Sequence, residues 1–456
     1  MNQFEKRAAM ALASIFSLRM LGLFMIYPVF TFYSKQLTGS TPVLVGLALG
    51  AYGLTQALLQ IPLGFASDRF GRKHIIAGGL VILAIGSVVA ALSTSIYGVI
   101  FGRILQGSGA VGSTILALNA DLTREETRTK AMAMIGISIG LAFAVAMVVG
   151  PLISGWVGVP GIFWFTALLS LLGLFVLYGA TPEPKAARSH RDAEAVPALF
   201  KRVLSNGELL RLDFAIFILH TILTASFIVL PRLLHNVGGV HEDYQWVVYL
   251  PVLAVSVAAM LPVIIVAEAK RQMKPVFVGS IAALLVSQII LTFYHASLVE
   301  LIVMMVVFFT AFNVMEATLP SLISKVAPAD AKGTALGVYS SAQFFGIFVG
   351  GAVGGWAYSM GGYSGVFGFC ALAALVWLFV AATMPKPRFA RTYMVHVGDV
   401  NDDEARRLAG EIEAIEGVFE AVVVPDDGVA YIKYDGKVVD TEAFTPFGTQ
   451  HAAAAS

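Results

Sequence analysis

The sequence predicts an α-helical membrane protein with twelve transmembrane helices in two six-helix halves, followed by a small α+β domain. Two observations carry this prediction. Hydrophobic residues make up 57% of the 456 residues and charged residues only 13%, about half the charged fraction of a typical soluble protein. Most apolar residues fall in runs of about 20 or more, the length that crosses a bilayer as a helix. This composition excludes an ordinary soluble enzyme and a basic nucleic-acid-binding surface.

Twelve apolar runs lie between residues 8 and 384. They are longer and more uniformly apolar than β-barrel strands, which have about 10 residues of alternating polarity. The first run has no small-residue cleavage site, so we expect it to be retained as a span and not removed as a signal peptide. The predicted spans are 8–34, 43–66, 74–93, 96–119, 130–156, 161–180, 209–231, 245–266, 275–295, 298–324, 333–358 and 363–384.

Lysine and arginine are distributed very unevenly between the two sides of the predicted bundle. One side carries 22 of these residues, whereas the other carries only Lys35 and Arg232. Cytoplasmic loops hold the excess of positive charge in membrane proteins. We therefore expect both termini to be cytoplasmic. The two faces are called the basic side and the opposite side below.

Residues 181–208 form a polar linker that separates an N-terminal half, 1–180, from a C-terminal half, 209–388. The end of the linker has apolar residues at helical spacing beside Lys201 and Arg202. This pattern is typical of a helix that lies on a membrane surface, and an irregular linker is the alternative. The apolar residues are Val196, Leu199, Phe200, Val203 and Leu204.

Residues 389–446 have a polar composition and predict a small ferredoxin-like domain. The predicted order is strand 392–397, helix 402–415, strands 418–424 and 429–434, then a weak helix near 439–446. Asn401 is the expected N-cap of the first helix. Residues 447–456 have low complexity, which is typical of a disordered tail.

The connection after the second span carries a specific motif, Gly64-Phe-Ala-Ser-Asp68-Arg69-Phe-Gly71-Arg72-Lys73. Together with twelve spans and a central linker, it resembles the loop signature of the major facilitator superfamily at every fixed position. In the fifth span, Gly150, Pro151 and Gly155 resemble a motif of that family's drug–proton antiporters, although Ala146 and Ser154 stand where glycines are usual. The resemblance implies a transporter in a bacterial inner membrane, surrounded by lipid, and not an enzyme.

The resemblance assigns a conformational switch to Gly64, Asp68, Arg69, Gly71, Arg72, Lys73 and Asp121. It places Asp68 near the start of helix eleven, at residues 333–338, where exposed amides and the helix dipole favour a carboxylate. Such a bond would join the two halves on the basic side. Arg72 can pair with Asp121, and the two glycines permit close packing and a tight turn. The alternative is that the three basic residues only set the orientation.

Ionisable residues inside a span are costly and usually functional, and four of them matter here. They are Arg19, Arg103, His220 and Glu316, on spans one, four, seven and ten. The resemblance places these four helices around a central cavity, and all four residues are candidates for proton coupling. Glu316 is the first choice, because a carboxyl that changes neighbours can bind and release a proton.

His220 is the second choice, since imidazole titrates near neutral pH; a histidine bonded between helices is the alternative. Arg103 resembles the arginine of the family's fourth-helix motif, which is associated with proton transfer. Arg19 could hold a counter-ion or contact substrate. For both arginines the alternative is an interhelical ion pair. Asp213 and Glu300 lie near span ends, where we expect them to be solvated.

Candidate substrate-cavity residues lie on the same four helices, with packing as the alternative for the aromatic ones. They are Tyr27, Phe30, Asn119, Thr224 and Asn313.

The sequence predicts no cofactor and no metal site, with the proton gradient as the driving force. No segment resembles a nucleotide-binding glycine loop. The C-terminal domain lacks Cys-x-x-Cys, so it is not expected to capture soft metals. Asp399, Asp402 and Asp403 could hold a hard cation, but acidic residues in a first helical turn explain them more simply.

Three functions remain open. The leading one is a proton-coupled antiporter that exports small amphipathic compounds by alternating access. The second is a proton-independent facilitator or importer, in which Arg19 and Arg103 bind an anionic metabolite. The third is a membrane sensor that signals through the C-terminal domain. No nucleic-acid partner is expected, and we expect a monomer.

The formal net charge of +1 conceals two opposite charges. Residues 1–388 hold 25 basic and 16 acidic residues, a net charge of +9, whereas residues 389–456 hold 5 and 13, a net charge of −8. Opposite charges attract over about one Debye length. We therefore expect the acidic domain to dock on the basic loops of the same chain.

Overall fold

The computed structural model describes residues 1–183, 196–328, 330–385 and 391–448. The chain divides into two compact units. The first, here called the membrane unit, comprises Met1–Arg188, Arg211–Leu319 and Gly337–Met384. The second, the tail unit, comprises Ser189–Leu210, Pro320–Leu336 and Pro385–Ser456. Residues 184–195 of the predicted linker and the terminal tail from residue 449 lie outside the described residues.

The N-terminal half is built from long apolar helices with well-defined starts. An Asn2–Glu5 capping box begins α1, and Thr41 caps α3 just before Pro42, where a missing N–H costs nothing. The helices are α1 (Gln3–Phe24), α2 (Phe30–Tyr33), α3 (Pro42–Phe70), α4 (Arg72–Leu92), α5 (Ile96–Ser108), α6 (Gly112–Leu122) and α7 (Glu125–Gly179).

Two predicted spans differ from the helices that form. The first span is helical only to Phe24 and continues through turns into α2. The predicted span 96–119 is broken into α5 and α6, because the chain between them packs against α4: a Cβ atom at Gly109 would overlap the carbonyl oxygen of Gly79. By contrast, α7 contains the fifth and sixth spans, with only Gly158 outside helical geometry.

The C-terminal half follows the same plan. Its helices are α9 (Gly207–Asn236), α10 (Trp246–Ala269), α11 (Met273–Phe293), α12 (Leu298–Val326) and α13 (Lys332–Ala382), and α13 contains the last two predicted spans, separated at Gly361 and Gly362. In the part of the chain that the structure describes, ten helical segments are long and apolar enough to span a membrane. Two of these have 50 and 51 residues, enough for two crossings each.

The tail unit contains the end of the linker as a short helix, α8 (Phe200–Leu204), with Val203 fully buried. It also contains the C-terminal domain, whose elements are β1 (Arg391–His396), α14 (Asp402–Glu413), β2 (Val418–Val424) and β3 (Val429–Tyr434).

The three strands form an antiparallel sheet in the order β1-β3-β2, which fits a ferredoxin-like domain. Asn401 caps α14, as its sequence predicts, and Ile412 packs against Ile432 and Phe444 in the core. The predicted weak helix is a 3₁₀ helix, Thr441–Phe447.

Candidate functional site

Glycines of α3 and α13 bring the two halves together towards the opposite side. A Cβ atom at Gly46 would overlap the carbonyl oxygen of Gly351, and one at Gly50 would lie 2.8 Å from the carbonyl oxygen of Phe348. Both α3 glycines lie near the start of that helix at Pro42. Close backbone contact of this kind depends on small residues. The halves are therefore packed backbone to backbone at this end.

Aromatic rings join the halves near the middle of the bundle. The ring of Phe143 lies 6.3 Å from that of Phe227 and 6.2 Å from that of Phe309, between centroids. Tyr27 lies 5.4 Å from Phe227, and Phe312 lies 6.4 Å from Phe143. Such pairs add about 0.5–1.5 kcal/mol each to their burial. These five residues are called the aromatic layer.

A polar cluster lies on the basic side of the aromatic layer. Glu316 follows Phe312 by one turn of α12, and Gln343 of α13 donates its amide to Glu316 Oε1 at 3.2 Å. The same amide nitrogen lies 2.9 Å from Nε2 of His220 on α9. Three helices of the C-terminal half are thus linked by one amide group. Glu316 keeps 35% of its side chain exposed, whereas His220 keeps only 4%.

The hydrogen bonds assign a tautomer to His220. Its Nδ1 lies 3.3 Å from the carbonyl oxygen of Ile216, which can only accept, so Nδ1 carries the proton. Nε2 then accepts from Gln343 in the neutral ring. The other carboxylate oxygen, Glu316 Oε2, is 3.8 Å from His220 Nε2. The two leading candidates for proton coupling therefore lie side by side.

Gln343 was not singled out from the sequence. A single amide within a long apolar run was a usable signal, because a polar side chain inside a span needs a partner. What the sequence could not show is the rotation of α13, which turns this amide towards α9 and α12.

The expectation that Asp213 is solvated is wrong. Asp213 is only 7% exposed, and neither carboxylate oxygen has a hydrogen-bond partner among the residues that the structure describes. Its position near the start of α9 suggested contact with water, but α13 packs tightly against the next two turns of the helix, at Phe217 and Thr221. Glu300, the second acidic residue of that expectation, accepts a hydrogen bond at Oε2 from the amide of Ala296 at 3.2 Å. Its Oε1 is buried and has no hydrogen-bond partner among the described residues, so Glu300 is only partly solvated.

The two buried arginines belong to a different network, in the N-terminal half. Arg19 donates to the hydroxyl of Tyr52 at 2.9 Å and to the amide oxygen of Gln56. Arg103 donates to Gln106 at 2.8 Å and to the carbonyl oxygen of Ala48 at 3.3 Å. Its guanidinium lies 5.1 Å from the ring centre of Tyr52. Tyr52 therefore lies between both cations.

Neither arginine forms the interhelical ion pair considered as the alternative. Within the described ranges, no carboxylate lies within ion-pair distance of Arg19 or Arg103, which are 2% and 1% exposed. Arg19 Nε and Nη1 and Arg103 Nη2 also lack hydrogen-bond partners there. The four residues predicted for proton coupling thus form two groups, acid and imidazole in one half and guanidinium groups in the other.

The loop motif forms a network at the turn between α3 and α4. Gly71 has φ of 90°, which glycine adopts without strain, and joins the two helices directly. Arg72 then contacts Asp121 with an Nε–Oδ2 distance of 3.2 Å, which is the predicted pair. The same guanidinium donates to Ser67 at 2.8 Å and to the Asp68 carboxylate.

The other motif residues have separate contacts. Lys73 is buried and donates to the carbonyl oxygen of Thr181 at 2.8 Å and to Glu183 at 2.7 Å, so it fixes the end of α7. Arg69 lies 5.6 Å from the ring of Phe70, and a Cβ atom at Gly64 would lie 3.2 Å from Ser113 Oγ. The predicted bond from Asp68 to helix eleven stays a prediction.

The helix-five motif lies at close approaches, as expected from its glycines. A Cβ atom at Gly150 would overlap the carbonyl oxygen of Met25, and one at Gly155 would lie 3.1 Å from the carboxyl of Asp243. Pro151 lies within α7. The motif therefore packs helix five against the end of α1 and against the connection that precedes α10.

The predicted substrate-cavity residues do not form one open site. Tyr27, Phe30, Asn119 and Thr224 are fully buried, and only Asn313 is partly exposed. Tyr27 belongs to the aromatic layer, where its hydroxyl faces Thr224 without a well-formed hydrogen bond. Asn119 has no hydrogen-bond partner for either side-chain atom among described residues. Side-chain exposure depends on helix rotation, which the sequence does not reveal.

A chain of charges runs through the tail unit. Lys433 of β3 donates to the carbonyl oxygens of Lys325 at 3.1 Å and of Ala327, at the end of α12. Glu420 lies 3.6 Å from Lys433 and 3.2 Å from Arg202 of α8. Arg202 in turn contacts Asp330 at 3.0 Å. Burial lowers the pKa of Lys433, and the nearby Glu420 opposes that shift.

In the described part of the chain, no group of three or more His, Cys, Asp or Glu side chains could hold a metal ion. The acidic residues at the start of α14 have local roles. Asp403 contacts Arg406 at 2.9 Å, and Glu404 completes the capping box with Asn401.

The fold and the loop motif define a membrane transporter, and this chain belongs to the Major Facilitator Superfamily, whose profile matches residues 12–351 and 212–393. The relatives and the family are transporters and not enzymes. Among relatives, the chain is 44% identical to the inner membrane transport protein YajR of Escherichia coli (strain K12) over 441 residues, which is 96% of each chain.

Two further comparisons are more distant. A class B tetracycline resistance protein of Escherichia coli is 29% identical over 180 residues, 38% of this chain and 44% of that protein. The fold is shared with a bacterial homologue of the human lysosomal transporter Spinster, solved in an inward-facing and occupied conformation. That likeness has a TM-score of 0.67 at 15% identity and covers 84% of this chain and 98% of the other.

Proposed function

We propose that this transporter exports small amphipathic compounds in exchange for protons, by alternating access in a bacterial inner membrane with both termini in the cytoplasm. The observation that carries the proposal is the cluster of Glu316, Gln343 and His220. It links α9, α12 and α13, and 35% of the Glu316 side chain stays exposed. Glu316 can titrate, and its partner Gln343 links the three helices, so protonation of Glu316 can be coupled to the arrangement of these helices. The distant tetracycline resistance relative supports a small organic substrate.

Access to the cluster supports the direction of the exchange. The glycine contacts between α3 and α13 and the aromatic layer lie between Glu316 and the opposite side. In this conformation we therefore expect protons to reach Glu316 from the basic side. A proton bound from the opposite side in the alternative conformation would leave from here.

Protonation changes the bonds that the cluster can make. The ionised carboxyl accepts from Gln343, whereas the protonated carboxyl has an O–H that can donate to Nε2 of His220. The Gln343 amide must then turn or release one of its partners. A proton on Glu316 thereby changes the links between α12, α13 and α9.

Proteoliposomes with an imposed pH gradient test the coupling. Tetracycline and a panel of amphipathic cations, anions and neutral compounds serve as probes, after a thermal-stabilisation screen of the purified protein. Uptake that follows the gradient, accompanied by proton flux, supports the proposal. Transport that ignores the gradient refutes the coupling.

A second candidate function is favoured by Arg19 and Arg103, which form no ion pair among the described residues. Three guanidinium nitrogens of Arg19 and Arg103 lack partners within the described residues, and a buried cation favours an anionic ligand. A facilitator of an anionic metabolite would show counterflow without any proton requirement, which separates it from the first candidate.

We also propose that the C-terminal domain modulates transport by docking on the ends of α12 and α8. Lys433 binds the terminal carbonyls of α12, where the helix dipole favours a cation.

Deleting residues 389–456 should leave basal flux and remove its salt dependence. If deletion abolishes a downstream signal while flux is unchanged, the protein is a sensor; salt-independent flux in both forms refutes docking.

A further inference from the structure

The register between α9 and α13 places Asp213 next to the polar cluster. Cβ atoms at Gly346 and Gly350 would overlap the carbonyl oxygens of Phe217 and Thr221. Both helices advance by four residues between these contacts, so they run in parallel at constant register. One turn towards the basic side, Asp213 is level with residue 342. Tyr339 and Gln343 flank that position on α13.

Asp213 has the burial of a functional acid and lacks the contacts of a structural one. It is more than nine-tenths buried, and both its oxygens lack partners within the described residues. The hydroxyl of the buried Tyr339 is also without a partner there. Leaving a buried charge unpaired costs several kcal/mol or more, so a permanently ionised Asp213 would destabilise the fold.

Tyr339 connects this acid to the cluster. It lies on α13 one turn towards the basic side of Gln343, and its hydroxyl is buried. The other titratable groups near Asp213 in the described chain are His220, two turns along α9, and Arg211, whose guanidinium bonds the carbonyl oxygen of Thr383 at 3.1 Å. The helix register therefore brings Tyr339 close to Asp213 and to Gln343, the partner of Glu316. Among the described residues, no cation lies within ion-pair distance of Asp213.

We propose that Asp213 is a second proton-binding carboxyl of the C-terminal half, which passes protons between Glu316 and the basic side. The inference rests on the proposed proton coupling through Glu316. The proton leaves the carboxyl oxygen of Glu316 and binds the oxygen of Tyr339 or of an intervening water, whose own proton passes to Asp213. Only O–H bonds form and break, and nothing is oxidised or reduced. Asp213 then releases the proton to water on the basic side.

Infrared titration of the purified full-length protein tests this assignment, because protonated carboxyls have a distinct C=O stretch. The wild type should show two buried carboxyl components. D213N should lose one, and the remaining component should titrate at lower pH, because one nearby negative charge is gone. D213E should restore two components, and E411Q, at a half-exposed acid of α14, serves as the control, with the wild-type spectrum.

The outcomes separate this inference from the function on which it rests. If E316Q removes a component and D213N leaves the spectrum unchanged, Asp213 is not a proton site and coupling through Glu316 survives. If E316Q also leaves the spectrum unchanged, both proposals fail. If D213N does not fold, D213E decides. A shift of one buried carboxyl component relative to the wild-type spectrum supports the proton site at residue 213, and a spectrum identical to the wild type refutes it.

Discussion

The two halves of the bundle enclose different kinds of ionisable group. The N-terminal half buries Arg19 and Arg103 around Tyr52. The C-terminal half buries Asp213 and His220 and holds the partly exposed Glu316. Arginine remains charged at any accessible pH. Carboxyls and imidazole can lose their charge. One half therefore supplies a fixed positive charge, and the other supplies groups that titrate.

The partners in each half match this difference. Carbonyl, amide and phenol oxygens and an aromatic face surround the arginines, and none of these groups changes charge at neutral pH. In the C-terminal half, one amide links the acid to the imidazole. Structural similarity between halves is thus compatible with a division of tasks, in which a single half responds to protons.

The largest effect is expected from E316Q, which removes the titrating group of the cluster and keeps its shape. Proton-coupled flux in proteoliposomes should fall on the order of 100-fold, as for other essential proton-transfer groups. E300Q, at the other end of α12, should stay within twofold of wild type. Full proton-coupled flux in E316Q would contradict the conclusion that the C-terminal half supplies the titrating group.

A large effect is also expected from G46A, because the added methyl group overlaps the backbone oxygen of Gly351 and no side-chain movement relieves this. Overpacking costs about 1–3 kcal/mol, so closure towards the opposite side should weaken roughly tenfold. Cysteine labelling from that side measures the opening. G78A is the control, since its methyl group would have no neighbour within 4 Å; equal labelling of both variants would show that the contact is dispensable.

A smaller effect is expected from R103Q, which removes charge-assisted hydrogen bonds to Gln106 and Ala48. Thermal unfolding should show a loss of about 2–3 kcal/mol. The pH midpoint of coupled transport should not move, because the N-terminal half supplies fixed charge. K6Q, an exposed charge on α1, is the control. A midpoint shift in R103Q would show that both halves take part in titration.

The smallest effect is expected from K433M, which removes the ammonium group from the end of α12. Loss of a cation at a helix C-terminus costs about 1 kcal/mol or less. Hydrogen exchange of residues 320–326 should increase, and flux should change by no more than severalfold. K437M, at an exposed lysine, is the control. If exchange of residues 320–326 is unaltered in K433M, or changes equally in K437M, the C-terminal domain does not stabilise the end of α12.

The sequence predicted the elements of this fold well and its side-chain geometry poorly. Apolar runs, the positive-charge imbalance and Gly71 follow from local chemistry, and so does the succession of strands and helices along the C-terminal domain. The break at Gly109 requires the backbone of α4 nearby, which no local pattern indicates. Asp213 is misjudged for the same reason: proximity to a span end says little when α13 packs against the next turns of the helix. Gln343 contacts Glu316 and His220 only because of the rotation of α13, which the sequence does not reveal.

The turns inside α7 and α13 have a mechanical consequence. Helices five and six are joined through Gly158, and helices eleven and twelve through Gly361 and Gly362, with no other residue outside helical geometry in either element. Such short connections allow the two helices of each hairpin very little independent movement. Any tilt of helix five or eleven must pull its lipid-facing partner along, so surrounding lipids are displaced in every cycle. We therefore expect the turnover rate to follow the lateral pressure and thickness of the bilayer, even where substrate and proton sites are unaltered.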